Sequence, residues 1–303
     1  MRLLRSRVVT VAALSAFALV VAGPAGTGAD APDLTAYSAL GSWIDIYSPS
    51  FRADPERVAA AVAGRGVDTL FVETGNFRQR VDVVRPQQLA RLVEAAHARG
   101  IAVVAWYLPA FTDPARDLRR ARAAITFRTN DGDGFDSFAL DIESSAVRGA
   151  AERTRRLLAL SARLRAAVGP DYPLGAIIPS PVGMKLLPHY WPGFPYAALA
   201  RTYDVVLPMA YFSYRAHGSA AVSRYVQTSV RIIRDKTGDP TIPIHVIGGL
   251  AGATGTSDAA AFVHAVTLCG VQGLSLYDFF ATKASVWPLL RGAAQIAPSA
   301  RRC

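Results

Sequence analysis

The chain reads as an α/β protein: a single (β/α)8 barrel of the TIM type behind an N-terminal signal peptide. Three observations predict this. Eight short apolar runs of strand length alternate with helical patterns along the 303 residues, and such alternation requires parallel strands joined by crossover helices. The length left after a leader suits one closed barrel of about 250 residues. No glycine-rich GxGxxG or GxxxxGKS/T turn follows any run, which argues against a dinucleotide or nucleoside triphosphate cofactor on an open sheet. No linker or second domain is visible.

The start of the chain, Met1-Arg2-Leu3-Leu4-Arg5-Ser6-Arg7, is basic. An apolar run from Val8 to Gly23 follows, and Ala29-Asp30-Ala31 offers a small-residue cleavage site. This is the pattern of a secretory signal peptide over 1–31, leaving a barrel domain over 33–303. The apolar run is short of the roughly 20 residues that a membrane span needs. We therefore expect no stable membrane insertion and a secreted, extracellular protein within reach of the cell wall, probing its substrate as a monomer.

The strand-like runs lie at 43–48, 69–74, 101–108, 135–143, 174–180, 205–211, 242–248 and 273–279. Helices between them carry start and stop signals. Asp54-Pro55 and Asp113-Pro114 each place a capping acceptor before a proline at the first helical position, and Gly64, Gly100 and Gly169 stand at helix ends. Helical patterns cover about 55–64, 86–99, 149–168, 219–236, 258–268 and 285–292, with another after Pro114. The stretch 186–196, which contains His189-Tyr190-Trp191-Pro192, is a long aromatic loop after strand five.

The chain is basic, with 33 Lys and Arg against 23 Asp and Glu and a net charge of +10. That balance favours an anionic polymer as partner. The blander reading is a solvated helical surface, since arginines cluster in helical stretches such as Arg153-x-Arg155-Arg156. No run interleaves aromatic and basic residues, so nucleic acid is not expected. Two cysteines, Cys269 and Cys303, suggest a disulfide in an exported protein; two free thiols are the alternative. Without CxxC, HExxH or close histidine pairs, no metal site is expected.

The stretch Asp136-Ser137-Phe138-Ala139-Leu140-Asp141-Ile142-Glu143 carries the most chemistry. Side chains alternate along a strand, so Ala139, Asp141 and Glu143 share one face and Phe138, Leu140 and Ile142 the other. In a barrel the apolar face meets the helices, and the carboxylates sit at the C-terminal mouth where such barrels carry their chemistry. The alternative is an Asp capping the next helix and a Glu in a surface ion pair. Other residues falling at strand C-terminal ends are Asp45 and Tyr47, Glu73 and Asn76, Trp106 and Tyr107, Ser180, Met209 and Tyr211, and Tyr277 and Asp278. The set is acidic and aromatic, which suits sugar rings better than phosphates. His245 reads as a satisfied barrel histidine. Strand seven ends without a carboxylate, which argues against a barrel glycosidase with its nucleophile there.

These residues carry a resemblance. The 136–143 stretch resembles the D-G-x-D-x-D-x-E strand of family 18 glycoside hydrolases, the chitinase-like (β/α)8 barrels, and Pro208-Met209-Ala210-Tyr211 resembles their M-x-Y-D motif. The resemblance implies Glu143 as the acid, Asp141 as the group orienting a substrate N-acetyl, and Tyr211 as a further holder of that group. Ser137, Ala139 and Phe212 depart from the two motifs. Ile44-Asp45-Ile46-Tyr47-Ser48 together with Leu140-Asp141-Ile142-Glu143 also resembles strands of family 25 lysozymes. The expectation is a secreted glycoside hydrolase acting on a polysaccharide, with Tyr190, Trp191 and Trp106 as stacking platforms. A non-catalytic carbohydrate- or wall-binding barrel is the alternative.

Overall fold

The computed structural model describes residues 32–292 and 303; the leader expected over 1–31 lies outside the described residues. Eight parallel strands are present: β1 (Ala39–Ile44), β2 (Thr69–Asn76), β3 (Ala102–Leu108), β4 (Ser137–Asp141), β5 (Leu174–Ile178), β6 (Val205–Pro208), β7 (His245–Leu250) and β8 (Gly273–Tyr277). Sequence neighbours from β1 to β6 pair in order, β8 pairs with both β1 and β7, and isolated bridges Val206↔Ile244 and Met209↔Ile247 join β6 to β7. The sheet therefore closes as a (β/α)8 barrel.

Among the described residues ten α-helices surround or top it: α1 (Pro49–Ala53), α2 (Pro55–Gly64), α3 (Pro86–His97), α4 (Pro114–Ile125), α5 (Ala150–Val168), α6 (Pro181–Leu186), α7 (Tyr196–Ala200), α8 (Ser219–Thr237), α9 (Thr256–Cys269) and α10 (Trp287–Arg291). Four open alike. The side chains of Ser48, Asp54, Asp113 and Ser180 accept the backbone N–H of Phe51, Arg57, Arg116 and Gly183, each ahead of a proline. The proline contributes a φ already set for the helix, and the cap satisfies one of the orphan first-turn donors.

Strand alternation sorts the core into two layers. Trp43, Phe71, Trp106, Ala139, Ile177 and Leu207 fill the barrel interior. Leu40, Val72, Val103, Phe138, Leu140 and Ile142 pack outward under the helices, the sorting that the period of two requires.

The first strand is displaced from expectation. It occupies Ala39–Ile44 rather than 43–48. Gly41 and Ser42 hide it from an apolar scan, and Asp45 ends it, its carboxylate accepting the N–H groups of Tyr47 (2.8 Å) and Ser48 (3.1 Å). The lower end of the barrel is plugged by the turn Thr35–Tyr37. The buried Tyr37 hydroxyl lies 2.6 Å from Ser137 Oγ and donates to the Phe138 carbonyl. Two glycines make room for this plug. A Cβ at Gly175 would stand 2.7 Å from the Tyr37 hydroxyl, and one at Gly273 would stand 2.4 Å from its carbonyl oxygen.

Cys269, at the end of α9, is bonded to Cys303. Among the described residues no helix is long and apolar enough to cross a membrane, and no cluster of His, Cys, Asp and Glu could hold a metal ion.

Candidate active site

A cleft of about 380 Å³ opens at the C-terminal mouth of the barrel. Its polar lining comes from neighbouring elements: Glu73 and Asn76 from β2, Asp141 from the end of β4, and Glu143 two residues beyond. Trp106, Met209, Tyr211, Tyr47 and Tyr277 supply the rest of the residues expected from the sequence. The strand period places Asp141 above Ala139 on the interior side and sends Leu140 and Ile142 to the helices.

Asp141 is only 7 % exposed. Burial first, then the charges of Glu143 and Glu73, hold its carboxyl well above the usual carboxylate range. Glu143 is open to solvent along the cleft, while the surrounding walls strip away enough water to raise its carboxyl too. Its backbone is tied down: the Tyr190 hydroxyl donates to the Glu143 carbonyl oxygen. Tyr211 lies close enough to feel both charges. Its hydroxyl is raised by burial, then by Asp141 and Glu143.

Glu73 is 2 % exposed and pushed up to about 7, mainly by burial. Two donors hold it in place. Ile46 N–H bonds one oxygen (3.2 Å) and Asn76 Nδ2 the other (2.8 Å), and the same Asn76 amide donates to the Tyr47 hydroxyl at 2.9 Å. Three carboxyl groups thus converge on the cleft, each with a raised affinity for protons.

Two buried polar atoms of cleft residues lack a partner among the described residues: Trp106 Nε1, a donor, and Asp141 Oδ1, an acceptor when ionised. Their strands are adjacent, with Trp106 paired in register to Ala139. Ala139, on the same face of β4, offers Asp141 no polar partner. Buried groups without partners are uncommon and costly.

Below the cleft, His245 is fully engaged. Its Nδ1 donates to the Tyr37 carbonyl at 2.9 Å, since a carbonyl can only accept, which leaves Nε2 to accept from the Ser275 hydroxyl at 3.0 Å. Ser275 Oγ in turn accepts from Trp43 Nε1 at 2.8 Å. Burial lowers the imidazole to about 4, so it stays neutral and structural.

Six residues expected at the site lie elsewhere. Tyr107 follows the inward Trp106 and so points outward, where its hydroxyl donates to Asp117 on α4 at 2.7 Å. Trp191 is 3 % exposed on the outer side. Its indole bonds Thr154 of α5, and the Arg153 guanidinium lies 4.0 Å over its ring; it is an anchor of the 186–196 loop and not a sugar platform. Tyr190 is likewise a prop for Glu143 rather than a cleft wall. Asp45 is spent on the turn after β1 and on the Tyr277 hydroxyl at 3.3 Å, and Asp278 caps the turn after β8 through Ala281 N–H at 2.9 Å; neither lines the cleft. Ser180 is the α6 cap and contacts the Tyr225 hydroxyl.

Sequence reasoning missed Phe77, Arg78, Leu108, Tyr214 and Leu250, all of which line the cleft. Phe77 and Arg78 follow Asn76 directly, so continuing the strand-two reading by two residues would have found them.

No protein-family model and no curated protein matches this sequence. Solved structures do match the fold. An endo-β-1,4-mannanase from Thermotoga petrophila aligns with a TM-score of 0.64 at 10 % identity, over 87 % of this chain and 77 % of that one. A chitinase from Bacteroides thetaiotaomicron gives 0.62 at 11 %, over 85 % and 95 %. The spore cortex-lytic enzyme SleL of Bacillus cereus gives 0.61 at 9 %, over 84 % and 73 %. At these identities the likeness establishes the barrel fold, in company with glycoside hydrolase barrels that include family 18.

Proposed function

We propose that this protein is a glycoside hydrolase that cleaves an N-acetylated polysaccharide, with Glu143 as general acid. The observation that carries the reading is the Asp141–Glu143 pair, which stands at the C-terminal end of β4 and opens into an aromatic, acidic cleft. A raised carboxyl at Glu143 keeps the proton that a leaving group needs. That proton passes to the glycosidic oxygen as the C–O bond breaks, and positive charge develops on the sugar. The orphaned Trp106 donor and Asp141 acceptor complement a secondary amide, whose carbonyl accepts and whose N–H donates. An acetamido group held there by Asp141 and Tyr211 would turn its oxygen toward the developing charge. Water completes the hydrolysis and returns a proton to Glu143. We take 1–31 as the leader that delivers the enzyme outside the cell.

A non-catalytic sugar-binding barrel is the second reading. Ala139 favours it, as does Phe212, which is buried against Phe262 where the strand-six motif of family 18 carries an Asp. One experiment separates the two. Purified wild type and Glu143→Gln are incubated with chitin oligosaccharides and peptidoglycan, with reducing ends and thermal midpoint both measured. Loss of about 10²–10⁴ in rate at an unchanged midpoint supports catalysis. An active Glu143→Gln protein rejects the assignment.

A further inference from the structure

Arg78 is the one cation among the described residues that line the cleft. Its guanidinium has neither an ion pair nor a hydrogen bond to another described residue; it lies over the Phe77 ring, 5.3 Å from the centroid. The acids beside it do not employ its charge. Glu73, Asp141 and Glu143 are all shifted upward by burial, and Arg78 lowers none of them.

The backbone that carries Arg78 is nevertheless fixed. Its N–H donates to Asn76 Oδ1 at 2.9 Å. Arg120 of α4, 2 % exposed, reaches up from below to the carbonyls of Asn76 (2.9 Å) and Gln79, and so brackets Arg78 on both sides. A buried arginine is costly to hold, and this one is used to set the shape of the 76–79 segment. The result is an uncommitted guanidinium on a braced loop at the edge of an otherwise acidic cleft.

We propose that Arg78 is a specificity residue that binds a carboxylate borne by the sugar chain, so that the preferred substrate is an acidic polysaccharide. The inference rests on the glycoside-hydrolase reading for what enters the cleft. A guanidinium offers paired N–H donors that match a carboxylate, and no other described cation lining the cleft could receive such a group. Two carbohydrate sources share the chemistry: the lactyl ether of an N-acetylmuramyl glycan and the carboxyl of a uronate.

The test measures binding by calorimetry in low salt, in the Glu143→Gln background so that no ligand is consumed. One arm compares peptide-free N-acetylmuramyl glycan with chitin oligosaccharide; the other compares a uronate oligosaccharide with its carboxyl-reduced form. In one arm the acidic ligand should bind about five- to tenfold more tightly than its neutral counterpart, as expected for a charge-assisted hydrogen bond at a partly exposed site. Arg78→Gln should bring that ratio to near one, while Arg78→Lys should keep part of it. The arm that responds names the source. A ratio of one in both arms for Arg78-containing protein, or a ratio that survives Arg78→Gln, overturns the proposal. Carboxylate-selective binding by a protein that cleaves nothing would sink the hydrolase reading and leave the role of Arg78 standing.

Discussion

Glu73 shows how a single side chain in this cleft couples to pH. Its carboxyl is raised from 4.5 to about 7 in the folded protein, so the native state holds the proton more tightly than the unfolded chain. Stability from this group is complete below about pH 4.5 and is lost as pH rises to about 7. Glu73→Gln should remove that slope. Urea unfolding at pH 5 and pH 8 should show wild type losing roughly 2–3 kcal/mol more than the variant across the interval; parallel losses would exclude it. Glu143 is shifted in the same direction, so cleavage should fall on the alkaline side as the acid ionises. A rate that climbs steadily through neutral pH would contradict Glu143 as the proton donor.

At the scale of elements, the aromatic loop and β4 form a working pair. Arg153 of α5 donates to the Tyr190 carbonyl and stacks on Trp191, and Tyr190 then holds the carbonyl of Glu143. Tyr190→Phe removes one hydrogen bond, worth about 0.5–1.5 kcal/mol, and frees the peptide that carries the acid. We expect a small change in thermal midpoint and a larger fall in kcat than in substrate affinity. A variant with unchanged kcat would show that the prop is structural only.

The same loop marks where the sequence was silent. Period-two alternation was enough to place Asp141 and Glu143 on the inward face, and eight strand–helix repeats were enough to predict a closed barrel. Applied to strand three, the alternation would also have excluded Tyr107 from the expected site, because Trp106 and its neighbour cannot both face inward. Trp191 gave no such signal. A tryptophan in an aromatic, proline-rich loop looks exposed, and tertiary packing against Arg153, Thr154, Phe111 and Phe194 buries it. Asp45 and Asp278 misled for a related reason: an Asp after a strand serves a turn as readily as a substrate, and the choice depends on which backbone N–H groups lie within reach.

For the molecule as a whole, the Cys269–Cys303 bond joins the end of α9 to the last residue, 34 positions away. Loop-closure entropy assigns such a crosslink about 3–4 kcal/mol. Cys303→Ser should therefore lower the thermal midpoint by roughly 5–10 °C for a domain of this size without touching the cleft. Midpoints that agree within error would show that the constraint adds nothing.

The barrel has a clasp. Seven of its eight junctions are ladders, whereas β6 and β7 meet through two isolated bridges, with Pro208 at the end of β6 and Pro243 just ahead of β7, neither able to donate. Tyr211 leaves directly from that junction. Amide protons along it should exchange with deuterated solvent sooner than those on the opposite wall, and a bound oligosaccharide that bridges Tyr211 to Asp141 should slow them. The ring would then be at its tightest when its mouth is full, with the ligand acting as the last stitch.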